Sequence, residues 1–246
     1  MLRRTTHAAF APDAYVFPGG ALDTGDYAVA MLQRIIGISV VGGRARLHDR
    51  PGKGARHGFT PLTDAQRVGL IVAAARELYE EAGVLRIVHK DGSPIGINPA
   101  AAHALQSLRP LVARGERSFA DVLEKYDAYV NADAFVYFSH WITPESEERR
   151  YDTYFFLSVA GAEQDAQADA SETHDGVWIA PATALERYEA GTFAMIYPTV
   201  RHLERLRTFA KLDDLITYAR KKDVIPVMPT IGPDDTIHMD EGEAEW

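Results

Sequence analysis

The chain of 246 residues contains no cysteine, which excludes disulfides, thiolate metal sites and a cysteine nucleophile. No segment approaches the roughly 18–20 uninterrupted apolar residues of a transmembrane helix. Positive charge is scarce: 26 Lys and Arg against 35 Asp and Glu leave a formal net charge of −9. That balance argues against nonspecific nucleic-acid binding, and an acidic protein acting on an acidic substrate needs local cations. The amino terminus, MLRRTTHAAFAP, has no apolar stretch after its two arginines and does not read as a signal peptide. These absences point to a reducing, cytoplasmic setting with neither nucleic acid nor membrane as partner. Other absences narrow the chemistry. PGKGARHG (51–58) lacks the G-x4-G-K-[ST] pattern of a phosphate-cradling loop. The nine histidines have no H-x3-H or H-E-x2-H spacing, which disfavours zinc, and no serine occupies a G-x-S-x-G elbow. Repeats and low-complexity linkers are also missing.

What is present is a 46% apolar composition, enough for a sizeable core, and an irregular alternation of helical and strand patterns, which means mixed α/β or α+β. YVFPGG (15–20) reads as a strand end breaking into a loop, 26–36 as a short helix and 42–58 as a Gly-rich basic loop. The strongest helix covers 63–82. Thr63 and Gln66 fit a capping box at its start, and Gly83 stands where a helix takes a left-handed cap. Helical stretches follow near 100–113 and 119–129. Aromatic and β-branched residues mark strands at 134–141 and 151–159. A polar loop covers 161–173, a short strand 177–179, and two or three helices 181–221, before an acidic tail.

Three carboxylates crowd the end of the strongest helix in RELYEEAGV (76–84). At about 100° per residue, Glu77, Glu80 and Glu81 share one side. Val68, Ile71, Ala75, Leu78 and Ala82 gather roughly opposite, where a core would lie. Like charges three and four residues apart repel by a few tenths of a kcal/mol per pair. Arg76, four residues before Glu80, can offset part of that. A hard cation such as Mg²⁺ or Mn²⁺ would offset more, since it prefers clustered carboxylate oxygens. On spacing alone, a metal site and a solvated acidic face are both open.

RELYEEAGV resembles the second half of the Nudix box, G-x5-E-x7-R-E-U-x-E-E-x-G-U, where U is bulky and apolar. Counting back from Arg76, however, the box's Glu and Gly positions hold Val68 and Leu62. The first half resembles Gly20-x5-Asp26 instead, with aspartate for glutamate. Residues 27–75 then separate the halves, 49 where the box has seven, an insertion of 42. Such a split box resembles the Nudix hydrolase subgroup typified by the peroxisomal coenzyme A diphosphatases. HWITP (140–144) and RRYDTYFFL (149–157) are similar to W-x-T-P and R-R-F-D-T-x-F-F segments of that subgroup, and the likeness covers roughly residues 1–210.

The resemblance implies a Nudix-type α/β/α sandwich with a mixed sheet, a helical insertion and C-terminal helices. It would form a single domain over 1–225, with the box insertion at 27–62, a helical segment at 98–130 and an acidic tail at 226–246. It further implies Mg²⁺- or Mn²⁺-dependent hydrolysis of a nucleoside diphosphate linked to another group, with coenzyme A or acyl-CoA favoured. Glu77, Glu80 and Glu81 would hold metal, Arg76 would orient them, and Glu77 or Glu172 would be the general base. Gly19, Gly20 and Asp26 would form the substrate loop, with Gly20 and Asp26 near the amino-terminal part of the 63–82 helix. Arg44, Arg46, Arg50, Lys53 and Arg56 would either contact the 3′-phosphate of coenzyme A or form a solvated loop. Hydrolysis of another dinucleotide or nucleotide-sugar, and a non-catalytic nucleotide sensor, are the alternatives. Because only 16 residues precede Phe17, the first strand should be short. An open edge beside it leads to the expectation of a homodimer or of a further strand encoded upstream.

Overall fold

The computed structural model describes residues 1–7, 11–37, 40–41, 44–45, 59–161, 173–234 and 236–239. Seven α-helices are described: α1 (Val29–Leu32), α2 (Asp64–Ala82), α3 (Pro99–Ala113), α4 (Phe119–Lys125), α5 (Pro181–Glu189), α6 (Tyr197–Leu206) and α7 (Leu212–Lys221). Strands β1 (Leu2–Arg4) and β2 (Tyr15–Val16) come first, followed by β3 (Ile35–Ile36), β4 (Val40–Val41), β5 (Arg44–Ala45) and β6 (Ile87–Val88). The rest are β7 (Tyr129–Asn131), β8 (Val136–Ile142), β9 (Asp152–Leu157), β10 (Thr173–Gly176), β11 (Pro226–Val227), β12 (Thr230–Ile231) and β13 (Ile237–His238).

Helix α2 forms where its signals place it. The Thr63 side chain accepts from Gln66 N at 3.3 Å while Gln66 Oε1 accepts from Thr63 N at 2.9 Å, satisfying donors that the first turn leaves free. Gly83 ends the helix in the left-handed conformation at φ 69°, which a side chain would strain. Val68, Ile71, Val72, Ala75 and Tyr79 are buried, and each large apolar side chain removed from water contributes about 1.5–3 kcal/mol.

The β8–β9 hairpin separates two cores. Phe156 packs with the α2, α3 and α4 side chains, whereas Phe155 and Leu157 pack with Phe138, Trp141 and the α7 residues, as the two-residue period of a strand requires. The register slips between Tyr137 and Ser139. That bulge turns Ser139 and Trp141 to the same side as Val136 and Phe138. A third core joins Tyr15 to α5, α6, Phe193 and Met195. The sheets are mixed: β8 pairs antiparallel with β9 and parallel with β11, and β7 pairs parallel with β3 and antiparallel with β6. The HWITP and RRYDTYFFL segments supply β8 and β9, where His140 Nε2 meets the Asp152 carboxylate and its ring stacks on Tyr154 at 4.1 Å.

Several expectations change. The helix anticipated over 26–36 is a 3-10 turn (Thr24–Tyr27), a single turn of α1 and then β3. The described start of the insertion packs onto the domain: Met31 is buried in the α2 core and β3 pairs with β7. Helix α4 stops at Lys125, and Tyr129 begins a strand. The late strand is Thr173–Gly176 instead of 177–179: its backbone pairs with β1, the pairing ends where Val177 exchanges hydrogen bonds with Met1, and the Val177 and Ile179 side chains pack into the α5–α6 core. Strand β1 is short as expected, yet it pairs with β10 on one side and β2 on the other. Strand β1 is thus paired on both sides, and β10 and β2 are the outer strands of this sheet among the described residues. Past residue 225 the chain extends the sheet before its acidic end: β11 lies beside β8, with Val227 fully buried.

Candidate active site

The loop leaving β2 folds against the last turns of α2. Gly19 N donates to Glu81 Oε2 at 2.8 Å. Gly20 sits so close that an added Cβ would lie 2.2 Å from Glu77 Oε1, so a side chain there would displace the Glu77 carboxylate. Asp26, 2% exposed, receives Arg76 as a fork, with Nε to Oδ1 at 2.8 Å and Nη2 to Oδ2 at 3.0 Å. Arg76 Nη2 also donates to the Ala21 carbonyl at 2.9 Å. The guanidinium has a second duty toward the helix, where Nη1 lies 2.7 Å from Glu77 Oε1 and 3.3 Å from Glu80 Oε1. The two halves of the split box are therefore one constellation in space. They meet at the carboxy-terminal half of α2, a correction to the amino-terminal placement expected, because the partners of the loop are Arg76, Glu77 and Glu81.

Burial decides the state of these carboxylates. Glu80 is 9% and Glu81 7% exposed, so they are not a solvated acidic face. Burial, opposed by Arg76 and reinforced by Glu77, pushes the Glu80 carboxyl up to about 7. Burial alone would lower the Arg76 pKa, but bonds to Asp26 and the fields of Glu77, Asp26 and Glu80 outweigh it and hold the group charged above its ordinary value. One guanidinium thus serves three carboxylates, and the negative charge exceeds the positive.

A cavity of about 270 Å³ opens here, lined among others by Gly19, Gly20, the three glutamates and Ala113 of α3. Its side-chain donors are oxygen only, the chemistry that suits Mg²⁺ or Mn²⁺. Among the described residues no three acidic or imidazole side chains converge tightly enough to hold an ion by themselves, and Arg76 is the cation between Glu77 and Glu80. The chemistry of these carboxylates suits a hard divalent ion, although their side chains do not converge on one point.

Glu172 lies outside the described residues, as do Arg46, Arg50, Lys53 and Arg56, while Arg44 is described by its backbone alone, in β5. Sequence reasoning missed two features. The first is that Asp26 holds Arg76 instead of facing a ligand. The second is Arg109 of α3, whose Nη2 donates to the Glu80 carbonyl at 3.0 Å. Arg109 left a signal, since it falls between the buried Leu105 and Val112, on what would otherwise be an apolar stripe.

The fold is that of a Nudix hydrolase. A solved structure of a NUDIX hydrolase from Alicyclobacillus acidocaldarius superposes with a TM-score of 0.67, at 22% identity over 88% of this chain and 86% of that one. The NUDT19 Nudix domain family matches residues 1–206, and the chain belongs to it. It is 28% identical over 238 residues to the acyl-coenzyme A diphosphatase NUDT19 of Gallus gallus, and 29% identical over 235 residues to that of Homo sapiens. Each alignment covers 87% of this chain but 62% of the relative, so the chain spans less than two thirds of their length.

Proposed function

We propose that the protein hydrolyses the pyrophosphate of coenzyme A or an acyl-CoA in a reaction that depends on Mg²⁺ or Mn²⁺. The observation that carries the reading is the closure of the split box in space, with Gly20 against Glu77 and Asp26 on Arg76 across an insertion of 42 residues. The substrate class is supported by the names of the two vertebrate relatives. Glu77, Glu80 and Glu81 would hold the ion. Bound there, a divalent cation supplies charge neutralisation for a diphosphate and acidifies a coordinated water.

The chain's own groups do the rest. Asp26 and the Ala21 carbonyl fix the Arg76 guanidinium, and Arg76 in turn orients Glu77 and Glu80 through charge-assisted hydrogen bonds. The absent side chain at Gly20 keeps the loop backbone against the glutamates. Glu77 and Glu172 are the two candidates to take the proton of the attacking water. Hydrolysis forms one bond from water oxygen to phosphorus and breaks one from that phosphorus to the bridging oxygen, leaving two phosphomonoesters. The cysteine-free, acidic composition supports a cytoplasmic setting, and no helix among the described residues is long and apolar enough to cross a membrane.

The test is a panel of coenzyme A, acyl-CoA, NADH, ADP-ribose and diadenosine polyphosphates with Mg²⁺ or Mn²⁺. Coenzyme A or acyl-CoA should show the highest kcat/KM, and chelation should abolish turnover. A preference for another diphosphate overturns the substrate, and binding without turnover of any of them overturns the enzyme.

A further inference from the structure

The last four carbonyls of a helix have no intrahelical donor. At the end of α2 the Tyr79 carbonyl accepts from Gly83 N at 2.9 Å and the Leu78 carbonyl from Val84 N at 3.3 Å. The Glu80 carbonyl, one residue on, accepts from the side chain of Arg109. Arg109 is 7% exposed, and its Nη1 donates to Gln106 Oε1 at 2.9 Å. The guanidinium fills the space beside the helix cap so closely that a Cβ at Gly83 would lie 2.8 Å from Nη1. A second tie joins the same two helices, where Tyr79 Oη donates to the Leu105 carbonyl at 2.5 Å. Helix α3 also reaches the cavity directly, through Ala113.

We propose that Arg109 is a positioning residue for the metal-holding end of α2. Capping the Glu80 carbonyl fixes the final turn, and that turn sets where the Glu80 and Glu81 carboxylates stand relative to Gly19 and Gly20. A cation at the negative end of the helix dipole adds to the hold. Arginine suits the task because its planar fork reaches Glu80 and Gln106 together, which a single ammonium does not reproduce. Tyr79 ties the same helices without touching the Glu80 carbonyl, so it separates general stapling from positioning. The inference rests on the metal-dependent reading above.

The experiment compares Arg109→Met, Arg109→Lys and Tyr79→Phe in the full chain. It measures Mn²⁺ binding by electron paramagnetic resonance without substrate, kcat and KM, thermal stability, and hydrogen exchange across residues 79–85. In Arg109→Met, exchange in that turn should quicken, and Mn²⁺ affinity and kcat should each fall roughly tenfold or more, as for residues that orient metal ligands, with KM little changed. Arg109→Lys should recover part of the loss. Tyr79→Phe should lose thermal stability while keeping Mn²⁺ affinity and kcat. A folded Arg109→Met with lowered melting temperature but wild-type Mn²⁺ affinity and kcat overturns the proposal. If Arg109→Met does not fold, wild-type values in Arg109→Lys overturn it and intermediate ones support it. If the wild-type protein neither binds Mn²⁺ nor hydrolyses a diphosphate, the functional reading fails on its own. Exchange across 79–85 then decides, and an unchanged rate in Arg109→Met overturns the positioning role.

Discussion

Two regions bury titratable groups and deal with them in opposite ways. At the end of α2, the buried Asp26 and Glu80 carboxylates are paired with Arg76, and buried Glu81 accepts from Gly19 N. On the other side of the β8–β9 hairpin, His202 of α6 is 2% exposed among Phe138, Phe155 and Trp141 and is held neutral. Its Nδ1 faces the Pro198 carbonyl, an acceptor only, so Nδ1 carries the proton and Nε2 accepts from the Ser139 hydroxyl, each at 2.5 Å. Desolvation lowers its pKa to about 4 against the hydrogen bond to Pro198. A site that handles charge must keep charge at hand, whereas a core must expel it. The same helix-and-sheet scaffold does both within one chain because one pocket opens to solvent through the cavity and the other is closed.

The largest effects are expected at the glutamates. Glu81→Gln keeps an acceptor for Gly19 N, so the fold should survive while metal-dependent turnover falls by orders of magnitude. The same substitution at Glu77 and at Glu80 should also cost activity, and three variants with wild-type rates would move the site elsewhere. Arg76→Met should strand the buried Asp26 carboxylate and cost roughly 3–5 kcal/mol in urea unfolding. A loss below about 1 kcal/mol would mean that the ion pair is replaceable by solvent.

The neutral region responds to pH. The folded His202 pKa of about 4 lies below the unfolded value of about 6.5, so between them the unfolded chain binds the proton and the folded chain does not. The stability from neutral His202 is full above about 6.5 and declines as pH falls toward 4, by up to a few kcal/mol. His202→Gln should flatten that slope in denaturant titrations at several pH values, and a slope unchanged from wild type would place the titration in other groups. The smallest effect belongs to the far end of α2, where Thr63→Ala should cost about 1 kcal/mol and leave kcat untouched.

Much of this was legible in the chain and some was not, for physical reasons. The limits of α2 are written locally, in a capping box three residues apart and a glycine that alone tolerates φ 69°. The β8–β9 hairpin likewise follows from aromatic and β-branched runs. Strand β10 was misplaced by apolar content because Val177 and Ile179 pack into a core, while Thr173–Gly176 owe their ladder to β1, some 170 residues away. The residues from Pro226 read as tail because, among the described residues, only Pro226 and Val227 join the main sheet, beside a strand formed far earlier, while β12 and β13 pair with each other alone.

The sequence by itself determined the carboxylate helix, the box spacing with its insertion, the mixed α/β class and the chemistry those residues admit, since each is carried by residue types at short, fixed intervals. Tertiary structure alone decided that Asp26 forks onto Arg76 across 50 positions and that Arg109 caps Glu80 across 29. It also decided that Glu80 and Glu81 are buried and that His202 is neutral. Those outcomes depend on which groups lose water together, and only the packing of distant segments settles that.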